Sequence, residues 1–210
     1  MKSALLLLVV SLSCSSLRAT DWKLSKSNDH LKIYTAKAEH SKSEMVRVEC
    51  TVNASVSQVL AAFFDVDGQQ KWVYGNKTSR LLSRLNDSEF IYYSEVSVPW
   101  PFSNRDFIAH VKATQISHDV VFIDSYGEPA YLPEVKGVVR VKTSAAHMVL
   151  SSVGNNITKV EYTIQFDPGG EIPVWVTNLF VCKGPYGSFE KLPEILKAPD
   201  YQNASFSFLK

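Results

Sequence analysis

The stretch KVEYTIQFDPGGEIPVWVTNLF, residues 159–180, changes its period halfway along. Val160, Tyr162, Ile164 and Phe166 alternate with Lys159, Glu161, Thr163 and Gln165, the period of two of a strand with one dry face. Pro168-Gly169-Gly170 breaks that run. Ile172, Trp175, Val176 and Leu179 then recur at the spacing of one helix face. Gly184-Pro185 is expected to kink or interrupt this helix before it resumes toward Leu196.

Working outward, the same alternation appears upstream. In MVRVECTVNA (45–54), Val46, Val48, Cys50 and Val52 alternate with Arg47, Glu49 and Thr51. One dry and one wet face imply antiparallel pairing rather than a doubly covered parallel sheet. Further strand-like runs cover 31–36, 78–86, 89–98, 106–116, 119–126, 137–143, 146–153 and 157–166, with hairpin turns at Asn86-Asp87 and Gly154-Asn155-Asn156. Ser55 is placed to cap a helix over VSQVLAAFFDV, whose Val56, Val59, Leu60, Phe63 and Phe64 form one stripe. The order is strands, one helix, many antiparallel strands and one long terminal helix. Only that last helix is long enough to cover the apolar face of so large a sheet. The expected fold is therefore α+β, a curved antiparallel sheet gripping the C-terminal helix, with a pocket between them.

Composition bounds the partners. The chain has 210 residues, 45% of them apolar, which suits one domain with a substantial core. Its 22 basic residues balance 21 acidic ones, so charge gives no reason to expect nucleic acid as a partner. Lys2 followed by Ala4–Leu12 and the small residues SCSS reads as a secretory signal peptide over residues 1–19. That apolar run is shorter than the ~20 residues of a spanning helix. A secreted or periplasmic location is the expectation. Cys14 offers lipid attachment as an alternative, although Ser11-Leu12-Ser13 fits such a leader poorly. Loss of the leader leaves Cys50 and Cys182, which permit one disulfide without establishing it. Asn53, Asn76, Asn86, Asn156 and Asn203 each open a glycosylation sequon.

Catalytic motifs are missing from the sequence. It holds no Cys-x-x-Cys, His-Glu-x-x-His, Gly-x-Ser-x-Gly or phosphate-binding glycine loop. His30, His40, His110, His118 and His147 read as surface residues, and no spacing pairs a nucleophile with a base. No catalytic residue, metal ligand or cofactor is expected.

Two loops carry more apolar character than turns require. GEPAYLPEVKG (127–137) places Pro129, Ala130, Tyr131, Leu132 and Pro133 between strands, which suggests a lid that also touches a membrane surface. VPWPFSNRDF (98–107) stiffens its backbone with Pro99 and Pro101, offers Trp100 as a large buried anchor, and ends in Arg105-Asp106. Pro101, Arg105 and Asp106 are read as structural, pinning the turn.

PWPFSNRDF (99–107), GVVR (137–140) and DPGGEIPVWVTN (167–178), with Trp72 after the first helix, follow the order and spacing of StAR-related lipid-transfer (START) domains. The middle of the first element is similar to the phosphatidylcholine-transfer type. The resemblance spans residues 22–198, leaving 199–210 as a tail. It implies a helix-grip fold around a tunnel for one lipid or sterol, closed by the terminal helix and a loop. Family members that bind steroids carry an inward arginine on the strand after the Arg-Asp turn. Here Phe107, Ala109 and Val111 hold the inward positions, so Glu95 and Arg140 remain as charged candidates for the wall. Tyr93, Tyr162, Ile164, Phe166, Trp175, Asn178 and Leu179 complete the expected lining.

The expected function is a monomeric, non-enzymatic carrier of one lipid, sterol or other hydrophobic small molecule, in transient contact with membranes. A polyketide-cyclase-like enzyme of the same superfamily and a groove that binds a partner helix are the alternatives.

Overall fold

A computed structural model describes residues 20–37 and 44–210. The proposed leader, Cys14 and His40 lie outside the described residues. Ten strands form one sheet: β1 (Lys23–Ser27), β2 (Leu31–Lys37), β3 (Glu44–Val52), β4 (Asn76–Asn86), β5 (Glu89–Val96), β6 (Arg105–Ser117), β7 (Val120–Gly127), β8 (Val139–Arg140), β9 (Thr143–Ser152) and β10 (Thr158–Asp167). Nine of them run in the order β1-β2-β3-β10-β9-β7-β6-β5-β4, and every neighbouring pair on that path is antiparallel.

The expected strand over 137–143 is a correction. Only Val139 and Arg140 pair, and they pair parallel to β6, off the main path. Gly137 at φ 83 and the preceding proline-rich loop leave too little extended chain for a full strand. β1 was invisible in the sequence because KLSKS is exposed throughout and lacks apolar alternation.

Two short helices follow β3. In α1 (Val56–Phe64), the Ser55 hydroxyl accepts from the Gln58 N–H at 3.2 Å, while the Gln58 side chain accepts from the Ser55 N–H at 2.8 Å. That reciprocal capping box fixes where the helix begins. Val59, Leu60 and Ala62 of α1 are fully buried. A single turn, α2 (Gln69–Trp72), then carries Trp72 inward.

The C-terminal helix crosses the concave face in three joined pieces: α3 (Val174–Asn178), a π-turn (Leu179–Lys183) and α4 (Gly184–Ile195). Pro185 explains the middle piece. Its ring cannot tolerate a regular helical carbonyl four residues back, so the preceding turn widens and Gly184 donates to Leu179 O. A Cβ on Gly184 would stand 2.7 Å from that oxygen, which is why glycine occupies the joint. The helix thus bends without stopping.

Residues after 198 are packed, not a loose tail. α5 (Pro199–Gln202) buries Tyr201, whose hydroxyl donates to Asp65 at 2.7 Å, and Phe206 meets Phe64 edge-on. The main core lies between the concave face, α1 and the terminal helices. A small second cluster of Ile91, Tyr93 and Ile108, with Leu82 and Leu132 against it, sits on the convex face.

Candidate functional site

Strand register decides which side chains meet on the concave face. β6 and β5 pair Phe90 with Val111, Tyr92 with Ala109 and Ser94 with Phe107. Because faces alternate, this set points one way while Tyr93, Ile108, Glu95 and Asp106 point the other. Across the sheet, β10 contributes Tyr162, Ile164 and Phe166, and Tyr162 lies opposite Met148 of β9.

These side chains do not meet the terminal helix in a solid layer. A cavity of about 290 Å³ separates them, roofed by Leu179, Phe180, Pro185 and Phe189 and bordered by Phe63 and Trp72. Its wall is mostly aromatic and aliphatic, relieved by Gln69, five serines and Arg105. Among the described residues no histidine, cysteine, aspartate, glutamate or lysine lines it. Burial pushes the Tyr92 phenol up to about 12 and pushes Tyr162 upward as well, so both stay neutral near pH 7. The lining includes the exposed residues Tyr74, Ser97 and Ala145, so the cavity reaches the surface.

The loop between β5 and β6 flanks that opening. Asn104 ties it down: its Oδ1 accepts from the Val98 N–H at 3.1 Å, and its Nδ2 donates to Glu95 at 2.6 Å. Phe102 of this loop meets Trp175 of α3 edge-on, with ring centroids 5.6 Å apart. Trp100 at the loop tip is 91% exposed, and Trp175 is 49% exposed.

Arg105 and Asp106, adjacent in sequence, serve opposite faces. Arg105 lines the cavity and donates to the carbonyls of Ser103, Pro168 and Gly169 at 2.6, 3.3 and 3.3 Å. Asp106 receives Arg140 on the convex face, and Arg140 also donates to the carbonyls of Pro129, Leu132 and Pro133.

A sheet curved over a helix with a cavity between them is a shape that other proteins share. The structure of a STAR-related lipid transfer protein fragment from Xanthomonas axonopodis superposes with a TM-score of 0.76 at 29% identity, covering 84% of this chain and 99% of that one. Human STARD10 superposes at 0.72 with 21% identity, covering 86% of this chain and 75% of that one, a likeness of fold alone. In sequence, an uncharacterized Pseudomonas aeruginosa protein is 32% identical over 83% of this chain and 86% of its own length. Rat phosphatidylcholine transfer protein is 28% identical over 87% of this chain and 86% of its own. The family model described as START domain matches residues 9–193.

The chain belongs to the START domain family.

Within this START domain, the expected lining residues divide cleanly. Phe107, Ala109, Val111, Tyr162, Ile164, Phe166 and Leu179 line the cavity. Tyr93, Glu95, Arg140, Trp175 and Asn178 are absent from its wall. For Tyr93 and Glu95 the error is one residue: β5 presents Tyr92, Ser94 and Val96 inward, while Glu95 binds Lys77 and Asn104 outside. Arg140 follows Asp106 to the convex face because β8 pairs those two residues. On α3 the fully buried position is Val176, three and four residues before Leu179 and Phe180. Trp175 lies one position off that stripe, and Asn178 is exposed.

The loop carrying Pro129, Ala130, Tyr131, Leu132 and Pro133 is also a correction. None of the five lines the cavity, and Leu132 packs into the convex-face cluster while Arg140 holds the loop's carbonyls. Trp100 is no buried anchor either; Val98 is the buried residue of its loop. Phe63, on the apolar stripe of α1, borders the cavity. Tyr92, Ser94, Arg105 and Trp72 were missed as lining, although the inward set on β6 and antiparallel register would have pointed to Tyr92 and Ser94.

Proposed function

We propose that this START domain is a non-catalytic, monomeric carrier of one lipid, sterol or similarly hydrophobic molecule, held between the sheet and the C-terminal helix. The observation that carries this reading is the cavity itself. Protein interiors are normally packed to crystal density with few voids larger than a water, yet about 290 Å³ stands open here behind a mostly apolar wall. The START family binds lipids and often transfers them, and its lipid-transfer members are generally non-enzymatic. The wall supports the same reading, because general acid–base catalysis works best with a group titrating near the working pH, and Tyr92 and Tyr162 sit far above it.

Exchange takes place at a membrane surface through Trp100 and Trp175. Tryptophan favours the interface between water and hydrocarbon; Trp100 is exposed on the loop that follows the cavity residue Ser97, and Trp175 is half exposed and meets Phe102 of the same loop. Among the described residues no helix is long and apolar enough to cross a membrane. Export, to the periplasm or outside the cell, rests on Lys2 and the apolar run Ala4–Leu12.

Transfer of a pyrene-labelled lipid from donor to acceptor vesicles tests the proposal. A rate that rises in proportion to protein supports it. No transfer, together with no lipid retained after mixing with vesicles, overturns it.

A further inference from the structure

Arg105 is a buried cation, 3% exposed, on the wall of a mostly apolar cavity. Its neighbour Asp106 gives both carboxylate oxygens to Arg140 on the other face. Among the described residues no carboxylate stands within ion-pair distance of Arg105, which is answered only by the carbonyls of Ser103, Pro168 and Gly169. Carbonyl dipoles carry no net charge. Desolvation accordingly holds the guanidinium below the usual arginine range, although an arginine stays protonated in any protein.

The donor count sharpens the point. A guanidinium has five N–H groups, and the three carbonyls take one each from Nε, Nη1 and Nη2. One N–H is left on each terminal nitrogen, free to donate to an oxygen of a carboxylate or phosphate.

The cavity is also polarised along the strands. Arg105 begins β6, with Ser94 and Ser97 of the adjoining chain in the same wall. Six residues further along, ~20 Å at strand rise, Val111 faces Phe90, and Phe64 meets Phe90 edge-on. One end is cationic and the other is closed by aromatic rings.

We propose that the ligand is an amphiphile with one apolar chain and an oxyanion head, and that Arg105 holds the head. This rests on the cavity being the lipid site argued above. The volume of about 290 Å³ lies at the low end of small-molecule pockets, which run ~300–1,000 Å³, and so suits one chain better than two.

The test titrates the full chain, stripped of bound lipid, with cis-parinaric acid and separately with its uncharged methyl ester. Palmitate and palmitoyl-lysophosphatidate then compete against the acid, which distinguishes a carboxylate head from a phosphate. The acid should bind about tenfold to a hundredfold more tightly than the ester, the range for a charged hydrogen-bonded pair. Arg105→Met should erase that difference, bringing the acid-to-ester ratio to about one. Should Arg105→Met fail to fold, because Arg105 also secures three carbonyls, the acid-to-ester ratio of the unsubstituted chain decides alone. Equal affinity for acid and ester there overturns the role of Arg105 and leaves the carrier reading intact. Binding of neither overturns both.

Discussion

Arg140 and Asp106 form a two-pronged ion pair on the convex face: Nε donates to Oδ1 at 2.8 Å and Nη2 to Oδ2 at 3.0 Å, with both side chains shielded from water. The pair exists because β8 adds to β6 in parallel and brings the two residues abreast. Removing one partner strands the other. Asp106→Asn should therefore cost ~3–5 kcal/mol, the range for breaking a buried pair, read as a lower urea midpoint. Because Arg140 also holds the carbonyls of Pro129, Leu132 and Pro133, the 128–138 loop should become the first site of limited proteolysis. Replacing both charges with apolar residues of similar volume should recover much of the loss; no recovery would mean the pair does more than anchor the loop.

The cavity predicts an asymmetry among core truncations. Leu60 is fully buried in α1 and does not line the cavity, so Leu60→Ala should cost ~2–5 kcal/mol, the range for core leucines. Leu179 borders space that is already open. In lipid-free protein, Leu179→Ala should cost clearly less than Leu60→Ala in the same urea titration. Equal losses would mean that Leu179 is packed on all sides.

Glu95 gives the fold a pH dependence with a definite sign. Burial pushes its carboxyl up, but hydrogen bonds from Lys77 and Asn104 override this, and the group titrates below the ordinary value of 4.5. A depressed carboxylate contributes stability that is present above the unfolded pKa and is lost as pH falls through the folded one. Glu95→Gln should thus be destabilised at pH 7, and its deficit should shrink as pH drops below about 4.5. Since Asn104 links Glu95 to Val98, amide exchange should also quicken in the 97–104 loop. A deficit that persists undiminished at pH 3 would remove Glu95 from the account.

Much of this was legible in the sequence, and the failures share causes. Alternation along β3, β6 and β10 and the change of period at Pro168-Gly169-Gly170 point to a one-sided antiparallel sheet under a terminal helix. Phe107, Ala109 and Val111 could be assigned inward because the alternation in β6 is clean. In β5 it is not: Phe90, Ile91, Tyr92 and Tyr93 are all apolar or aromatic, so pattern alone does not choose a face, and pairing with β6 does. Trp100 and Leu132 misled for another reason. Loops have no period, so whether a large apolar side chain there is anchored or exposed depends on contacts with distant elements. The cavity itself is set by how far the helix stands from the sheet, a distance no local pattern encodes.

The two exposed tryptophans predict a membrane-facing pair. Trp100→Ala with Trp175→Ala should slow lipid transfer between vesicles about tenfold or more, given that each exposed indole loses a favourable interfacial partition. Trp100, 91% exposed, should contribute nothing measurable to thermal stability. Unchanged transfer rates would place the membrane contact elsewhere on the surface.

Native mass spectrometry of the purified chain tests the central claim most directly, with Ala109→Trp measured alongside it. Ala109 lines the cavity between Tyr92 and Gly127, so an indole there fills the space a ligand would take. The unsubstituted chain should carry, or acquire from vesicles, the added mass of one lipid, recoverable by organic extraction. Ala109→Trp should fold and carry none. An unsubstituted chain that never gains a lipid mass, or an Ala109→Trp chain that binds as well as its parent, would contradict the account.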